Sequence, residues 1–232
     1  MKLSIIIPFY NEANRLPKSI GQILEYLNNQ SHDWELILVD DGSKDNSIEY
    51  LSEFLKDDRI KLLKHEKNSG KGSAVRTGVL SSSGDLVLFS DADLSTPIHE
   101  IEKLIDAINI GHKIAIGSRD IAGSHITKKQ PLLRRVLGKI ARSMIRGVLK
   151  MPYLDTQCGF KMFESSVAKK YFNSMKTNKW SFDYEILYRA KKDGIIAKEV
   201  PVYWHDDTKS KIHIGSDYIN CFIDLIKIRL QK

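Results

Sequence analysis

Short continuous apolar runs alternate, through the first half of the chain, with longer stretches whose apolar residues recur every three or four positions. The runs LSIIIPF, WELILVD, IKLLKH, DLVLFSD and KIAIGS are rich in Ile, Val and Leu. Such runs read as strands buried on both faces, as in a parallel sheet covered by helices. Between them the spacing predicts helices at roughly 14–29, 46–56, 72–81 and 97–110. Thr96 and Pro97 read as the N-cap and first-turn pair of the last of these. The alternation predicts an α/β fold with a mostly parallel central sheet flanked by helices.

The second half predicts a helix near 131–150, a strand at GFKMFES, helices at 165–175 and 182–192, and a strand at IAKEVPVYW. A final helix starts at about 215 and packs YINCFIDLIKIRL. No internal repeat or low-complexity linker breaks the 232 residues, so one domain is expected over 1–232. No apolar stretch approaches the roughly 18 residues of a membrane span, and LSIIIPFY reads as an opening strand, not a signal peptide. Cys158 and Cys221 make neither a metal spacing nor a disulfide framework, which points to the cytoplasm.

Charge sharpens the picture. The formal net charge is +7, but residues 1–100 hold 11 basic against 16 acidic residues and residues 101–232 hold 25 against 13. Between Ile121 and Leu154 there are eight basic residues and no acidic one. A field so concentrated implies a polyanionic partner: phosphate, nucleic acid or an anionic membrane. In LLRRVLGKIARSMIRGVLK the basic residues Arg135, Lys139, Arg142, Arg146 and Lys150 form one stripe, opposite Leu133, Val136, Leu137, Ile140, Met144 and Val148. This is the pattern of an amphipathic interfacial helix on an anionic membrane surface; the alternative is a helix whose apolar side covers the sheet. Exposed aromatics do not interleave with the charge as a base-stacking platform requires, so no nucleic acid is expected.

The polar residues able to do chemistry gather after the predicted strands: PFYNE, DDGS, DAD and GSR. Ligands of such sheets bind beyond the carboxyl ends of the strands. In extended backbone Asp91 and Asp93 point the same way, and two adjacent carboxylates suit a hard cation such as Mg²⁺ or Mn²⁺. Taken alone the motif also fits an Asp93 that caps the next helix.

In order and spacing, PFYNE, VDDGS, NSGKGSAVRTG, DADLSTP and GSR resemble the family 2 glycosyltransferases of the GT-A fold. DTQCGFKMF, KWSFDYEILYRA, EVPVYW and SKI followed by DLIKIRL are similar to the dolichyl- and polyprenyl-phosphate glucosyltransferases, and more distantly to polyprenyl-phosphate mannose synthases. The resemblance spans essentially the whole chain, with a nucleotide-sugar half at about 1–118 and an acceptor half at about 119–232. It implies a donor pocket of Pro8, Tyr10, Asn11, Glu12, Asp40, Asp41, Asp91, Ala92 and Asp93, with Asp91 and Asp93 on the metal. Ser95 stands where the mannose synthases carry a glutamine that completes the metal shell. SGKGSAVRTG lacks the Gly-Lys-Ser/Thr ending of a Walker A loop and reads as a helix N-terminus, with Lys71 either an anion contact or a surface lysine. Lys209 and Lys211 in TKSKIH, with Ser210 between them, match basic residues that in the family close over the diphosphate. Arg119 and Arg134 or Arg135 correspond to acceptor-phosphate contacts, since a planar guanidinium binds phosphate through paired hydrogen bonds.

The expected reaction is inverting transfer of glucose from a UDP-sugar donor, UDP-glucose, to a polyprenyl (dolichyl-type) phosphate, peripherally on the cytoplasmic face of a membrane. A phosphate monoester, with its second pKa near ~6, attacks without a base. An alcohol acceptor requires one, and Asp183 and Glu185 of FDYE are the carboxylates available. A polysaccharide acceptor, a GDP-mannose donor and nucleotidyl transfer are the alternatives, and no motif specifies an oligomeric state.

Overall fold

The computed structural model describes residues 1–128, 132–206 and 216–231. The five apolar runs of the first half form β1 (Lys2–Phe9), β2 (Asp33–Asp40), β3 (Ile60–Lys64), β4 (Leu86–Ser90) and β5 (Ile114–Ser118). The helices between them are α1 (Leu16–Asn28), α2 (Lys71–Ser81) and α3 (Ile101–Asn109). The stretch at 46–56 makes only two separate 3₁₀ turns, at 49–51 and 54–56, and Leu51 is the one buried side chain in them. So little burial does not hold a full helix together. Ahead of α3, Pro97 has extended backbone and itself precedes the first turn, with no side-chain cap. The Thr96 hydroxyl instead faces Cys158 Sγ at 3.8 Å.

The second half adds β6 (His125–Lys128), α4 (Leu132–Leu149), β7 (Phe160–Glu164), α5 (Ser165–Ser174), α6 (Phe182–Lys192), β8 (Lys198–Pro201), β9 (Tyr203–His205) and α7 (Ser216–Leu230). IAKEVPVYW, expected as one strand, is divided between β8, which pairs with β5 in the main sheet, and β9, which pairs with β6. Pro201, having no N–H to donate, sits where the first ladder stops.

The main sheet runs β3-β2-β1-β4-β7-β5-β8 and is parallel except for β7, which is antiparallel to both neighbours. One hydrophobic cluster joins α1 and α3 to one face of the sheet; a second joins α2, α5, α6 and α7 to the other. β1 and β4 lie side by side, while the chain leaves β1 toward β2 and β3 before it returns to β4. That reversal leaves a crevice at the carboxyl ends of β1 and β4, the position where doubly wound sheets bind ligands.

Candidate active site

The loops that follow β1, β2, β4 and β5 line one cavity of about 1000 Å³. Backbone held in the left-handed region marks two of them: Asn11 at φ 51° and Leu94 at φ 47°. For a leucine this conformation costs about 1–3 kcal/mol, and it persists here with the side chain 4% exposed in the core. The Asn11 amide donates to Ser43 Oγ at 2.8 Å, and its side-chain oxygen accepts the Lys44 amide at 2.7 Å. The Glu12 amide donates to Ser47 Oγ at 2.8 Å. These bonds fasten PFYNE to the loop after β2.

Asp91 and Asp93 stand in a turn, not in extended backbone: β4 ends at Ser90, and the Leu94 amide donates to Asp91 O at 3.1 Å. The two carboxylates still come close. Burial first, and the charge of Asp91 second, push the Asp93 carboxyl above the ordinary carboxylate range. Asp93 also accepts the Ser95 amide at 2.9 Å. Asp91 Oδ1 is enclosed and receives no hydrogen bond; its contact is an ion pair with the Lys71 ammonium. The other oxygen, Oδ2, lies in a cradle over Gly159, where an added Cβ would stand 2.1 Å away. Two converging carboxylates, one of them with Oδ2 seated over Gly159 and Oδ1 facing only the Lys71 ammonium, fit a hard divalent cation. Among the described residues no group of three or more His, Cys, Asp and Glu forms a fuller shell, so water and donor oxygens would complete it.

Below this pair lies a second one. Lys161 on β7 is 1% exposed; its ammonium pairs with Asp183, at the start of α6, and donates to Cys158 O at 2.5 Å. Asp183 lines the cavity. Burial pushes its carboxyl above the usual range, against the opposing charges of Lys161 and Lys71. Burial alone would lower the Lys71 pKa, but Asp91, Asp183 and Asp93 outweigh it and hold the ammonium above the ordinary lysine value.

Further along the cavity wall the Arg119 guanidinium forks onto Asp155, Nε at 2.6 Å and Nη2 at 2.8 Å, with Trp204 at 5.5 Å from its centre. Desolvation opposes both charges in this pair, yet each holds the other ionised, Arg119 above its usual value and Asp155 well below the carboxylate range. Arg142 on α4 pairs with Asp120 at 2.6 Å. Burial pushes the nearby Cys158 thiol up to about 11, so it stays protonated at neutral pH and is no nucleophile. Apolar residues of two helices also line the cavity: Met144 and Ile145 of α4 and Phe222 and Leu225 of α7. Met144 and Phe222 are also solvent-exposed and mark its mouth.

Of the residues anticipated from the sequence, Pro8, Tyr10, Glu12, Asp41, Lys71, Asp91, Ala92, Asp93, Arg119 and Asp183 line this one cavity. Asp40 and Asn11 do not: the Asp40 carboxylate accepts the Ser43 amide at 2.9 Å and shapes the loop. The Asp41 carboxylate is likewise engaged by the fold, accepting the amides of Ser69 at 2.9 Å and Gly70 at 2.8 Å and contacting His65 Nδ1 at 2.8 Å. Glu185 accepts the Lys176 and Thr177 amides at 3.0 and 2.8 Å and pairs with Arg189, which removes it from the chemistry. The Arg135 side chain is solvent-exposed on α4. Lys209, Ser210 and Lys211 lie outside the described residues, as does the side chain of Arg134. Sequence reasoning missed Arg15, Trp180, Trp204 and Gln157 in the wall, and the roles of Asp155, Gly159 and Lys161. For Asp155, Gln157, Gly159 and Lys161 the signal was present in DTQCGFKMF, but composition alone does not say which residue of a short motif is paired and which packs.

The sequence pattern of the family described as "Glycosyl transferase family 2" matches residues 4–172. The chain belongs to that family. It is a glycosyltransferase by this membership and by its relatives. It is 34% identical over 242 residues to the dolichyl-phosphate beta-glucosyltransferase of Dictyostelium discoideum, covering 99% of this chain and 74% of that protein. It is 33% identical over 244 residues to the protein of the same description from Homo sapiens, with 99% and 75% covered. Among solved structures, glucosyl-3-phosphoglycerate synthase from Mycobacterium tuberculosis in complex with Mn²⁺, UDP and phosphoglyceric acid superposes with a TM-score of 0.75 at 16% identity, covering all of this chain and 79% of that one. Mannosyl-3-phosphoglycerate synthase from Rubrobacter xylanophilus superposes at 0.73 with 15% identity, covering 99% and 74%. At these identities the likeness establishes the fold of this family 2 enzyme, which is GT-A.

Proposed function

We propose that this chain transfers glucose from UDP-glucose to a polyprenyl phosphate of the dolichyl type, inverting the anomeric centre and releasing UDP. The description of the relatives supports the sugar and the acceptor. The observation that carries the reading is that one cavity is lined both by Asp91, Asp93, Lys71 and Arg119 and by apolar residues of α4 and α7. A lipid phosphate needs a cation for its headgroup, for which Arg119 stands in the same wall, and an apolar path for its chain.

Asp91 and Asp93 would hold Mg²⁺ or Mn²⁺, which when bound stabilises the charge developing on the departing diphosphate. Pro8, Tyr10 and Glu12 wall the donor pocket, while Asn11, Asp40 and Asp41 shape it by tying its loops together. Arg119 is held by Asp155 with two guanidinium nitrogens engaged, and its remaining edge is available to the acceptor phosphate. Arg134 or Arg135, from the start of α4, would add to the attraction for that anion. The phosphate is ionised before it arrives, so no residue has to remove a proton from it. Asp183 serves as a base only for an alcohol acceptor.

The enzyme works peripherally, on the cytoplasmic face of a membrane. No helix among the described residues is long and apolar enough to cross one. On α4, however, Val136, Ile140 and Met144 form an uncovered row, and on α7 Ile219, Phe222, Ile223, Ile226 and Leu230 are exposed. Arg135, Lys139 and Arg146 are exposed on α4 as well. An apolar ridge with basic residues on the same helix suits an anionic lipid surface. The test is an incubation of purified protein with Mg²⁺, UDP-glucose carrying a radiolabelled sugar, and polyprenyl phosphate. The expected result is label in the organic phase on a β-linked glucosyl phosphate. Label that stays in the aqueous phase rejects the acceptor, and an α-linked product rejects inversion.

A further inference from the structure

Lys71 is the first residue of α2, and its ammonium pairs with Asp91, the carboxylate read above as holding the metal. Its side chain is only 16% exposed and lies under Trp180, at 5.6 Å, and Phe182, at 5.9 Å. Three carboxylates act on it, those of Asp91, Asp183 and Asp93. The other ammonium of the group, Lys161, is already engaged by Asp183. Two lysines thus face three carboxylates, and the group carries a small negative excess.

A divalent cation entering alone turns that excess positive and comes up against the Lys71 ammonium at the same carboxylate. In an enclosed site a doubly charged cation and an ammonium at contact distance repel strongly, because little solvent lies between them to screen the charges. The donor's dianionic diphosphate restores the balance and offers Lys71 new oxygens. The flexible four-carbon stem of a lysine can swing from one anion to the other without moving the backbone.

We propose that Lys71 is a resident counter-ion that makes metal binding conditional on the donor: it occupies Asp91 until a nucleoside diphosphate draws it off, so cation and donor enter together. The proposal rests on the assignment of Asp91 and Asp93 as metal ligands. By linkage, the factor by which UDP tightens the cation equals the factor by which the cation tightens UDP. Lys71 adds to that factor, beyond the coupling that the donor oxygens give by coordinating the cation themselves.

The test is Mn²⁺ binding followed by the EPR signal of the free ion, with and without UDP and with the UDP–Mn²⁺ complex measured in parallel. Wild-type protein is expected to bind Mn²⁺ about tenfold or more tightly when UDP is present. K71M keeps the stem between Trp180 and Phe182 but removes the charge. It is expected to bind Mn²⁺ alone about tenfold more tightly than wild type, and its response to UDP is expected to shrink by the same factor. K71R, which keeps the charge, should behave as wild type; K71Q provides the same comparison as K71M if that variant does not fold. K71M binding Mn²⁺ no more tightly than wild type, or K71R matching K71M, overturns the inference. D93N separates the two levels. If D93N binds Mn²⁺ like wild type in the presence of UDP, the metal site itself is misassigned. If D93N loses Mn²⁺ while K71M gains nothing, only the role of Lys71 fails.

Discussion

Gly159 shows how much chemistry can depend on the absence of one carbon. A Cβ there would lie 2.1 Å from Asp91 Oδ2, far inside any real contact, so the carboxylate has to leave its cradle. G159A should therefore lower kcat/KM by about 100-fold or more, as displacements on the order of 1 Å do, with little change in thermal midpoint. Initial rates on the radiolabelled donor check it, and activity within a few-fold of wild type would show that the placement of Asp91 is not critical. Glu35, on the strand end opposite the site, has a purely structural task. Burial pushes its carboxyl up, but hydrogen bonds from Lys61, Ser4 and Ser83 prevail and bring it from an ordinary 4.5 down to about 2. A carboxyl depressed on folding adds stability that is complete above its unfolded pKa and is lost as pH falls through the folded one. Unfolding free energies should thus decline between about pH 4.5 and pH 2. E35Q should flatten that part of the profile, measured by urea titration at each pH.

At the scale of elements, α4 is the informative case. Its sequence admits two readings, a cover for the sheet and an interfacial helix, and the packing divides its apolar residues between them. Ile145 and Leu149 are buried, whereas Val136, Ile140 and Met144 remain exposed at intervals of four residues. The basic stripe is divided too, because Arg142 is tied to Asp120 while Arg135, Lys139 and Arg146 face solvent. At about 1 kcal/mol each, the latter three are worth roughly 3 kcal/mol on an anionic leaflet. R135Q/K139Q/R146Q should accordingly weaken partitioning onto phosphatidylserine vesicles on the order of 100-fold at low salt, read by co-sedimentation. F222S/I223S on α7 should weaken it equally at low and high salt. Unchanged sedimentation of both variants removes the surface-docking role.

For the molecule as a whole, the seven-stranded sheet draws on both charge halves, with β1 to β4 from the acidic half and β5, β7 and β8 from the basic one. Parallel β1 and β4 bring the donor loops together, and antiparallel β7, inserted between β4 and β5, carries Gly159 and Lys161 in from the opposite direction. Asp91 N–H donates to Gly159 O at 3.1 Å across that junction, so the carboxylate pair belongs to neither half alone. Ligands that bind only this assembled state stabilise it by mass action. UDP with Mn²⁺ at 100 times their dissociation constant should add about 2.7 kcal/mol. A thermal-shift measurement should show a raised midpoint that EDTA largely abolishes, and a midpoint indifferent to both would count against a metal–nucleotide site.

Much of this was legible along the chain. Apolar runs of strand length between helical spacings marked β1, β2, β4 and β5, which are buried almost throughout. β3 and β8 close the two edges of the sheet and are only partly buried, so the run IKLLKH is a strand without being covered on both faces. The polar clusters after β1, β2, β4 and β5 were legible too, since a loop at a sheet edge is where polar residues can stand without a packing role. What the chain could not reveal was pairing at a distance. Whether Arg119 reaches for a phosphate or clasps Asp155, whether Glu185 serves chemistry or two backbone amides, and whether Lys71 is solvated or set against Asp91 are decided by partners tens of residues away. Local propensity carries no record of such partners, and a charged side chain in a short motif looks the same whether it is spent on the fold or held for a ligand. Position was written locally; engagement was settled only when the sheet closed around it.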